Sequence, residues 1–170
     1  MTTEDNLKEA FAGESQARNK YTYFAKVAEK EGFGYIAKIF RETADNEMQH
    51  AKELFKALNG IRSTKENLIS ASEGEHYENT SMYPKFAEEA RAEGNEEIAK
   101  LFEEISKVEV EHEERYKKLL ALVESGKVFK RDEPIKWVCQ KCGHVHTGTE
   151  APEKCPCCKH PQGYFSPEDF

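Results

Sequence analysis

Apolar residues recur at three- and four-residue spacing through most of the chain, a period that gathers them on one stripe of an α-helix. Leu7, Phe11, Ala17, Tyr21, Phe24 and Ala28 share such a face and predict a helix from about Glu4 to Lys30, ended by Glu31-Gly32-Phe33-Gly34. A second helix is predicted from about Tyr35 to Leu58. Asn59-Gly60 closes it, because Asn and Gly tolerate the left-handed backbone that follows a helix. Ser63-Thr64-Lys65-Glu66 has the form of a capping box opening a short helix. A further long helix is expected from near Gly74 to about Ala92, with Pro84 inside it removing one backbone donor. The last should open on an Asn95 N-cap and run to Ser125-Gly126.

The pattern is duplicated. Sliding residues 21–50 onto 83–112, an offset of sixty-two, gives thirteen identities in thirty, including Tyr21/Tyr83, Phe24/Phe86, Ala25/Ala87, Glu47/Glu109 and His50/His112. The repeating unit is a helical hairpin, and two such hairpins make a four-helix bundle. The register is imperfect at one place: Glu14 precedes Tyr21 by seven residues, whereas Glu75 precedes Tyr83 by eight. The additional residue is expected in a π-bulge between Glu75 and Tyr83, near the donor that Pro84 removes.

The repeat carries chemistry in register with the core. Glu47-Met48-Gln49-His50 and Glu109-Val110-Glu111-His112 each place a carboxylate and an imidazole on one helical face. A dimetal bundle also needs a carboxylate from each of the other two helices, and Glu14 and Glu75 supply them. One Glu from each of two helices, with Glu-x-x-His from each of the others, is the ligand pattern of ferritin-like dimetal proteins. Carboxylates with two imidazoles suit iron or manganese and would be unusual for structural zinc, so iron is preferred. Glu78 adds a second carboxylate to the face that bears Glu75.

Composition narrows the partners. With 32 acidic against 25 basic residues the net charge is -7, which argues against nucleic acid or an anionic membrane. The polar start, Met1-Thr2-Thr3-Glu4-Asp5-Asn6, has no apolar run behind it, so neither a signal peptide nor a membrane span is expected, and a cytoplasmic location is. All five cysteines fall between positions 139 and 158, where clustered thiols suggest a metal rather than a disulfide framework. Cys139-x2-Cys142 and Cys155-x2-Cys158, twelve residues apart, form a tetrahedral thiolate signature, leaving Cys157 surplus. Spacing alone admits zinc, whereas an adjoining dimetal bundle favours redox-active iron. Trp137, Val138, Val145, Tyr164 and Phe165 are available to cover the centre. Lys159 stands where a second knuckle commonly has Gly and is expected to take a positive φ, weakening the amide-to-sulfur hydrogen bonds. His76, His144, His146 and His160 read as surface residues.

The segments Phe11-Ala12-Gly13-Glu14-Ser15, Glu47-Met48-Gln49-His50-Ala51, Gly74-Glu75-His76-Tyr77-Glu78 with Met82-Tyr83-Pro84, and Glu109-Val110-Glu111-His112, followed by the two-knuckle module, closely resemble rubrerythrin over nearly the whole chain. The resemblance implies a mainly α protein: a ferritin-like four-helix bundle over residues 1–126, a linker over 127–135 that contains Pro134, and a rubredoxin-like four-cysteine iron domain over 136–170. It further implies a di-iron peroxidase that protects against oxidative stress by reducing hydrogen peroxide to water. Electrons would come from a donor protein, such as a rubredoxin or a reductase, through the Cys-bound iron. Carried over by position, Glu47 and Glu109 bridge the irons, Glu14 ends one, and Glu75 with His112 end the other. Glu78 and His50 alternate on the first iron, and Tyr21 and Tyr83 lie behind the ligands. A homodimer or larger assembly is expected. An iron-oxidising or iron-storing protein remains the alternative that the bundle alone would support.

Overall fold

The computed structural model describes residues 1–168; the last two residues of the expected C-terminal module lie outside the described residues. The chain falls into two compact units, Met1–Ser63 and Thr64–Phe170.

The first unit is a hairpin of α1 (Thr3–Lys30) and α2 (Gly34–Ala57). Thr2 caps α1: its hydroxyl accepts from the Asp5 N–H at 3.2 Å while the Asp5 carboxylate accepts from the Thr2 N–H at 2.7 Å. Gly32, at φ 83°, ends the helix, and the Phe33 N–H donates back to the Ala28 carbonyl at 2.8 Å. The seam between the helices is built from small residues, with Ala25, Ala28, Ala37, Ala44 and Ala51 buried. Larger rings gather beside it, where Tyr21, Phe24 and Phe40 have centroids 5.7–6.3 Å apart. At the end of α2, Asn59 takes φ 54°, and Gly60 lies so close to Phe55 that a Cβ would collide with the ring.

The second unit begins with α3 (Thr64–Tyr77), continues through a π-turn (Glu78–Met82) into α4 (Tyr83–Ala92), and turns at Gly94 into α5 (Glu96–Glu124). The expected short helix after Ser63 and the long helix from Gly74 are therefore one element. A glycine inside a helix costs only about 1 kcal/mol relative to alanine, too little to end a segment favoured on both sides. The π-turn falls within the interval predicted from the register mismatch, with the Tyr83 N–H bonded to the Glu78 carbonyl five residues back. Pro84 sits just after it, in the first turn of α4, and the Asn79 carbonyl five residues back accepts from the Ser106 hydroxyl instead. Asn95 caps α5 by accepting from the Ile98 N–H at 3.4 Å. The repeat is visible in the packing: Ala87, Ala90 and Ala99 are buried as Ala25, Ala28 and Ala37 are, and Tyr83, Phe86 and Phe102 form the same ring group.

The chain then forms β1 (Lys130–Cys139), β2 (Val145–Glu150) and β3 (Phe165–Pro167), an antiparallel sheet in the order β2-β1-β3. Residues 130–135, expected as linker, are the first six of the ten residues of β1. Pro134 is tolerated because the pairing with β2 is irregular between Lys130 and Ile135. Trp137, Cys139, Ala151, Cys155 and Phe165 make a small buried core. Trp137 donates to the Gly148 carbonyl at 3.0 Å, and the Arg131 guanidinium lies 5.3 Å from its ring centroid. Val145 and Tyr164, two of the expected covering residues, are instead exposed. Among the described residues no helix is long and apolar enough to cross a membrane.

Candidate metal centres

The hairpin of α1 and α2 brings Glu14, Glu47 and His50 together, each offering one ligand atom within 4.8 Å of the others. His50 Nδ1 lies 2.9 Å from Glu47 Oε2 and 3.7 Å from Glu14 Oε1. In the second unit Glu75, Glu109 and His112 form the corresponding group, with His112 Nδ1 2.6 Å from Glu109 Oε2 and 3.9 Å from Glu75 Oε1. Helical geometry explains both. Glu and His three residues apart share a face, and the partner helix crosses at the alanine seam, close enough to add its glutamate.

The electrostatics fit a cation. A hydrogen bond shared with Glu47, together with burial and the Glu47 charge, raises Glu14 above the ordinary carboxylate range. Burial, reinforced by Glu109 and Glu78, raises Glu75. Carboxylates crowded until they resist losing their protons are matched by a hard divalent ion, which replaces the shared protons. Glu78, the first residue of the π-turn, is half-buried. Its charge reaches Glu75 and Tyr83, but its carboxylate is not one of the three grouped donors.

Tyr21 and Tyr83 occupy equivalent positions behind these groups. Burial, with the nearby charges of Glu78, Glu109 and Glu75, raises the Tyr83 phenol above its ordinary value, so at neutral pH it remains an O–H donor beside the carboxylates. Tyr21 packs against Phe24 and Phe40.

Cys139, Cys142, Cys155 and Cys158 also converge within 4.8 Å of one another. The Cys139–Cys158 and Cys142–Cys155 sulfurs are 3.7 and 3.6 Å apart, and a tetrahedral metal with bonds of about 2.3 Å requires sulfur separations of roughly 3.75 Å. Two matching knuckles hold them. The Gly143 N–H donates to the Cys139 carbonyl at 2.8 Å, and the Lys159 N–H donates to the Cys155 carbonyl at 2.9 Å. Lys159 does take the expected left-handed conformation, at φ 64°. Burial raises the Cys155 thiol, yet the Cys158 and Cys157 N–H groups donate to its sulfur and neighbouring thiols assist, bringing it to about 6. Cys157 is exposed and outside the cluster. Of the histidines read as surface residues, His76 is exposed but bonded to Glu113, and His160 is half-buried with its ring against Tyr164.

One polar group near these centres carries no motif in the sequence. Glu113 on α5 is buried, and its carboxylate accepts from Asn79 at 2.8 Å, lies 3.0 Å from His76 Nδ1, and pairs with Lys117. Hydrogen bonds from Lys117 and Asn79 hold it down at about 2. The signal available was a break in the repeat, since Glu113 corresponds to Ala51.

Two carboxylate-imidazole groups on paired helices, with a tetrathiolate knuckle module, define a helical non-haem metalloprotein carrying a thiolate metal domain. The chain belongs to the rubrerythrin family: residues 5–120 match the family model described as Rubrerythrin, and residues 137–166 match that of the Rubrerythrin, rubredoxin-like domain. It is 53% identical to a rubrerythrin of Porphyromonas gingivalis, over 97% of this chain and 89% of that protein. It is 49% identical to a rubrerythrin of Nitratidesulfovibrio vulgaris, over 96% and 92%. A protein of Methanocaldococcus jannaschii named putative rubrerythrin is 48% identical, over 94% and 89%. The family's metal complement is a di-iron site and one iron in the four-cysteine module, and the groups above are the candidates for both. Its members are generally oxidoreductases, and the rubredoxin-like domain implies electron transfer.

Proposed function

We propose that this chain is a di-iron peroxidase that takes hydrogen peroxide, two electrons and two protons to two waters, protecting a cytoplasmic cell interior against oxidative stress. The observation that carries the reading is the pairing of two equivalent Glu/Glu/His groups with a module of four convergent thiols in one chain. Iron held by these groups would supply redox chemistry toward peroxide, and iron held by Cys139, Cys142, Cys155 and Cys158 would supply a one-electron centre. Glu14, Glu47 and His50 would hold one ion, and Glu75, Glu109 and His112 the other. The surrounding residues govern protons. The Tyr83 hydroxyl keeps its proton at neutral pH and can donate a hydrogen bond to a peroxide oxygen, with Tyr21 in the matching position.

Electrons arrive from a donor protein such as a rubredoxin or a reductase, and the working assembly is a homodimer or larger. Five residues, 125–129, join α5 to β1, so the thiolate module is tethered to the end of α5. His112 lies twelve residues earlier, roughly 18 Å along the helix at 1.5 Å per residue. That tether favours delivery to a second copy. Exposed Phe24, Val27, Ile36 and Ile39 on the first hairpin are apolar surface that an assembly would use.

The test is to load the protein with ferrous iron, reduce it without air and add hydrogen peroxide. Peroxide should disappear while the visible absorption of the ferric thiolate returns. Oxidation by dioxygen with no consumption of peroxide would favour the iron-oxidising alternative.

A further inference from the structure

The two hairpins are built alike except where the second must absorb an additional residue, and there a set of polar side chains replaces alanine. Under the sixty-two-residue offset, Ser106 and Glu113 of α5 correspond to Ala44 and Ala51 of α2. Ala44, Ala51 and Glu113 are all buried, at 5%, 8% and 7% exposure. A buried carboxylate where the repeat has a methyl is costly unless its lone pairs are used. Here they are used by Lys117 on the same helix, by Asn79 in the π-turn and by His76 just before it.

Asn79, the second residue of that turn, is the centre of the set. Its side-chain amide donates to the Glu75 carbonyl at 2.8 Å and to Glu113 Oε2 at 2.8 Å. Its own carbonyl accepts from the Ser106 hydroxyl at 3.1 Å. One turn earlier His76 Nδ1 lies 3.0 Å from Glu113 Oε1, and the Thr80 hydroxyl donates to the His76 carbonyl at 2.6 Å. A π-turn leaves main-chain carbonyls poorly served by the regular ladder, and a straight α-helix is the lower-energy alternative unless something holds the wider turn. Glu113 therefore grips the chain on both sides of Glu78, and side-chain donors serve the carbonyls of Glu75 and His76.

Both gripping residues stand one helical turn beyond candidate ligands, Asn79 four residues after Glu75 and Glu113 four after Glu109. Relaxing the π-turn to α would rotate everything on one side of it by about 100°, the angle of one helical residue. Glu75 and Tyr83 could then no longer face the same group.

We propose that Asn79, Ser106 and Glu113 form a polar latch that holds the π-turn open and thereby fixes the direction of the Glu75 and Glu78 carboxylates. Glu113 is a positioning residue, acting through Asn79 and the main chain rather than on a metal. The functional consequence rests on the dimetal reading, whereas the structural claim does not.

The test uses the full-length chain with Asn79→Ala, Glu113→Ala and Glu113→Gln, the last keeping an amide oxygen that can accept from Asn79. Far-ultraviolet circular dichroism reports an intact helical fold. In metal-free protein, amide hydrogen exchange over residues 78–83 should speed by about tenfold in Asn79→Ala and Glu113→Ala, the factor expected for losing one hydrogen bond to a charged group. Glu113→Gln should lie nearer the parent. Manganese(II) titration should show the same order, with affinity for one ion falling and the other unaffected. Unchanged exchange in both alanine variants would overturn the latch. So would equal loss of manganese affinity in Glu113→Gln and Glu113→Ala, because that would mark a simple charge effect. If Glu113→Ala does not fold, Asn79→Ala and Ser106→Ala decide the matter by the same exchange measurement. A parent chain that binds no manganese would refute the dimetal reading, and exchange would still judge the latch.

Discussion

The hairpin of α1 and α2 and the helices α3 to α5 carry the same alanine seam, the same ring group and the same Glu/Glu/His donors. They differ in one inserted residue and in what surrounds it. The first hairpin reaches its ligand geometry with regular helices packed along the alanine seam. The second reaches it through a π-turn gripped by Asn79, Ser106 and Glu113. The comparison teaches that duplicated ligands need not be held by duplicated means. An additional residue near a site is retained by adding polar partners where the parent pattern has methyl groups.

The equivalence of the two donor groups is broken most directly by removing one at a time. Glu47→Ala and Glu109→Ala should each lower peroxide turnover on the order of a hundredfold or more, with loss of bound iron in both. Metal analysis beside steady-state rates checks this, and a tolerated change in either half would end the equivalence. Next in size is a transplant. Ala51→Glu places in the first hairpin the carboxylate that Glu113 provides in the second, but without Asn79 or Lys117 to meet it. A buried, unpaired charge should destabilise the protein by about 3–5 kcal/mol, read as a lower denaturation midpoint.

Acid separates the two kinds of carboxylate. Glu113 is held at about 2, below its unfolded value near 4.5, so its stabilisation is complete above that ordinary value and is lost as pH falls toward 2. Glu14 and Glu75 have the opposite sign. Their carboxyls are raised, so the metal-free fold loses stability as pH rises through the upper carboxylate range. Glu75→Gln should therefore raise the melting temperature of metal-free protein at neutral pH, by about 2–4 °C if it recovers on the order of 1 kcal/mol. The gain should fade near pH 4, and metal binding by that half should be lost. A smaller effect is expected in the thiolate module, where Gly143 and Lys159 occupy the same left-handed position of the two knuckles. Lys159→Gly should stabilise the iron-loaded module by about 1 kcal/mol at most, seen as slower bleaching in denaturant.

Helices, caps and donor triads were legible because periodicity and the repeat reported them together: Glu47 with His50 and Glu109 with His112 recur in register with buried alanines. The π-turn was legible for the same reason, since seven residues against eight is a geometric contradiction in regular helices. Glu113 was not. It stands in the run Glu111-His112-Glu113-Glu114, where a buried carboxylate and solvated ones are indistinguishable without knowing what faces them. Continuity of α3 through Gly74 was also hidden, because a glycine marks a weak point without saying whether tertiary packing carries the helix across it. Residues 130–135 lacked a clear alternation because Pro134 and an irregular register interrupt the strand. Only pairing with β2 defines it.

The account stands on two equivalent donor groups working with one thiolate centre, and an anaerobic titration of the fully reduced, iron-loaded protein with hydrogen peroxide tests that most directly. One peroxide should be consumed for each pair of irons oxidised, with no dioxygen released and with the ferric thiolate absorption recovering in the same titration. Peroxide left unconsumed, or dioxygen evolved as it disappears, would contradict the reading of this chain as a peroxide reductase.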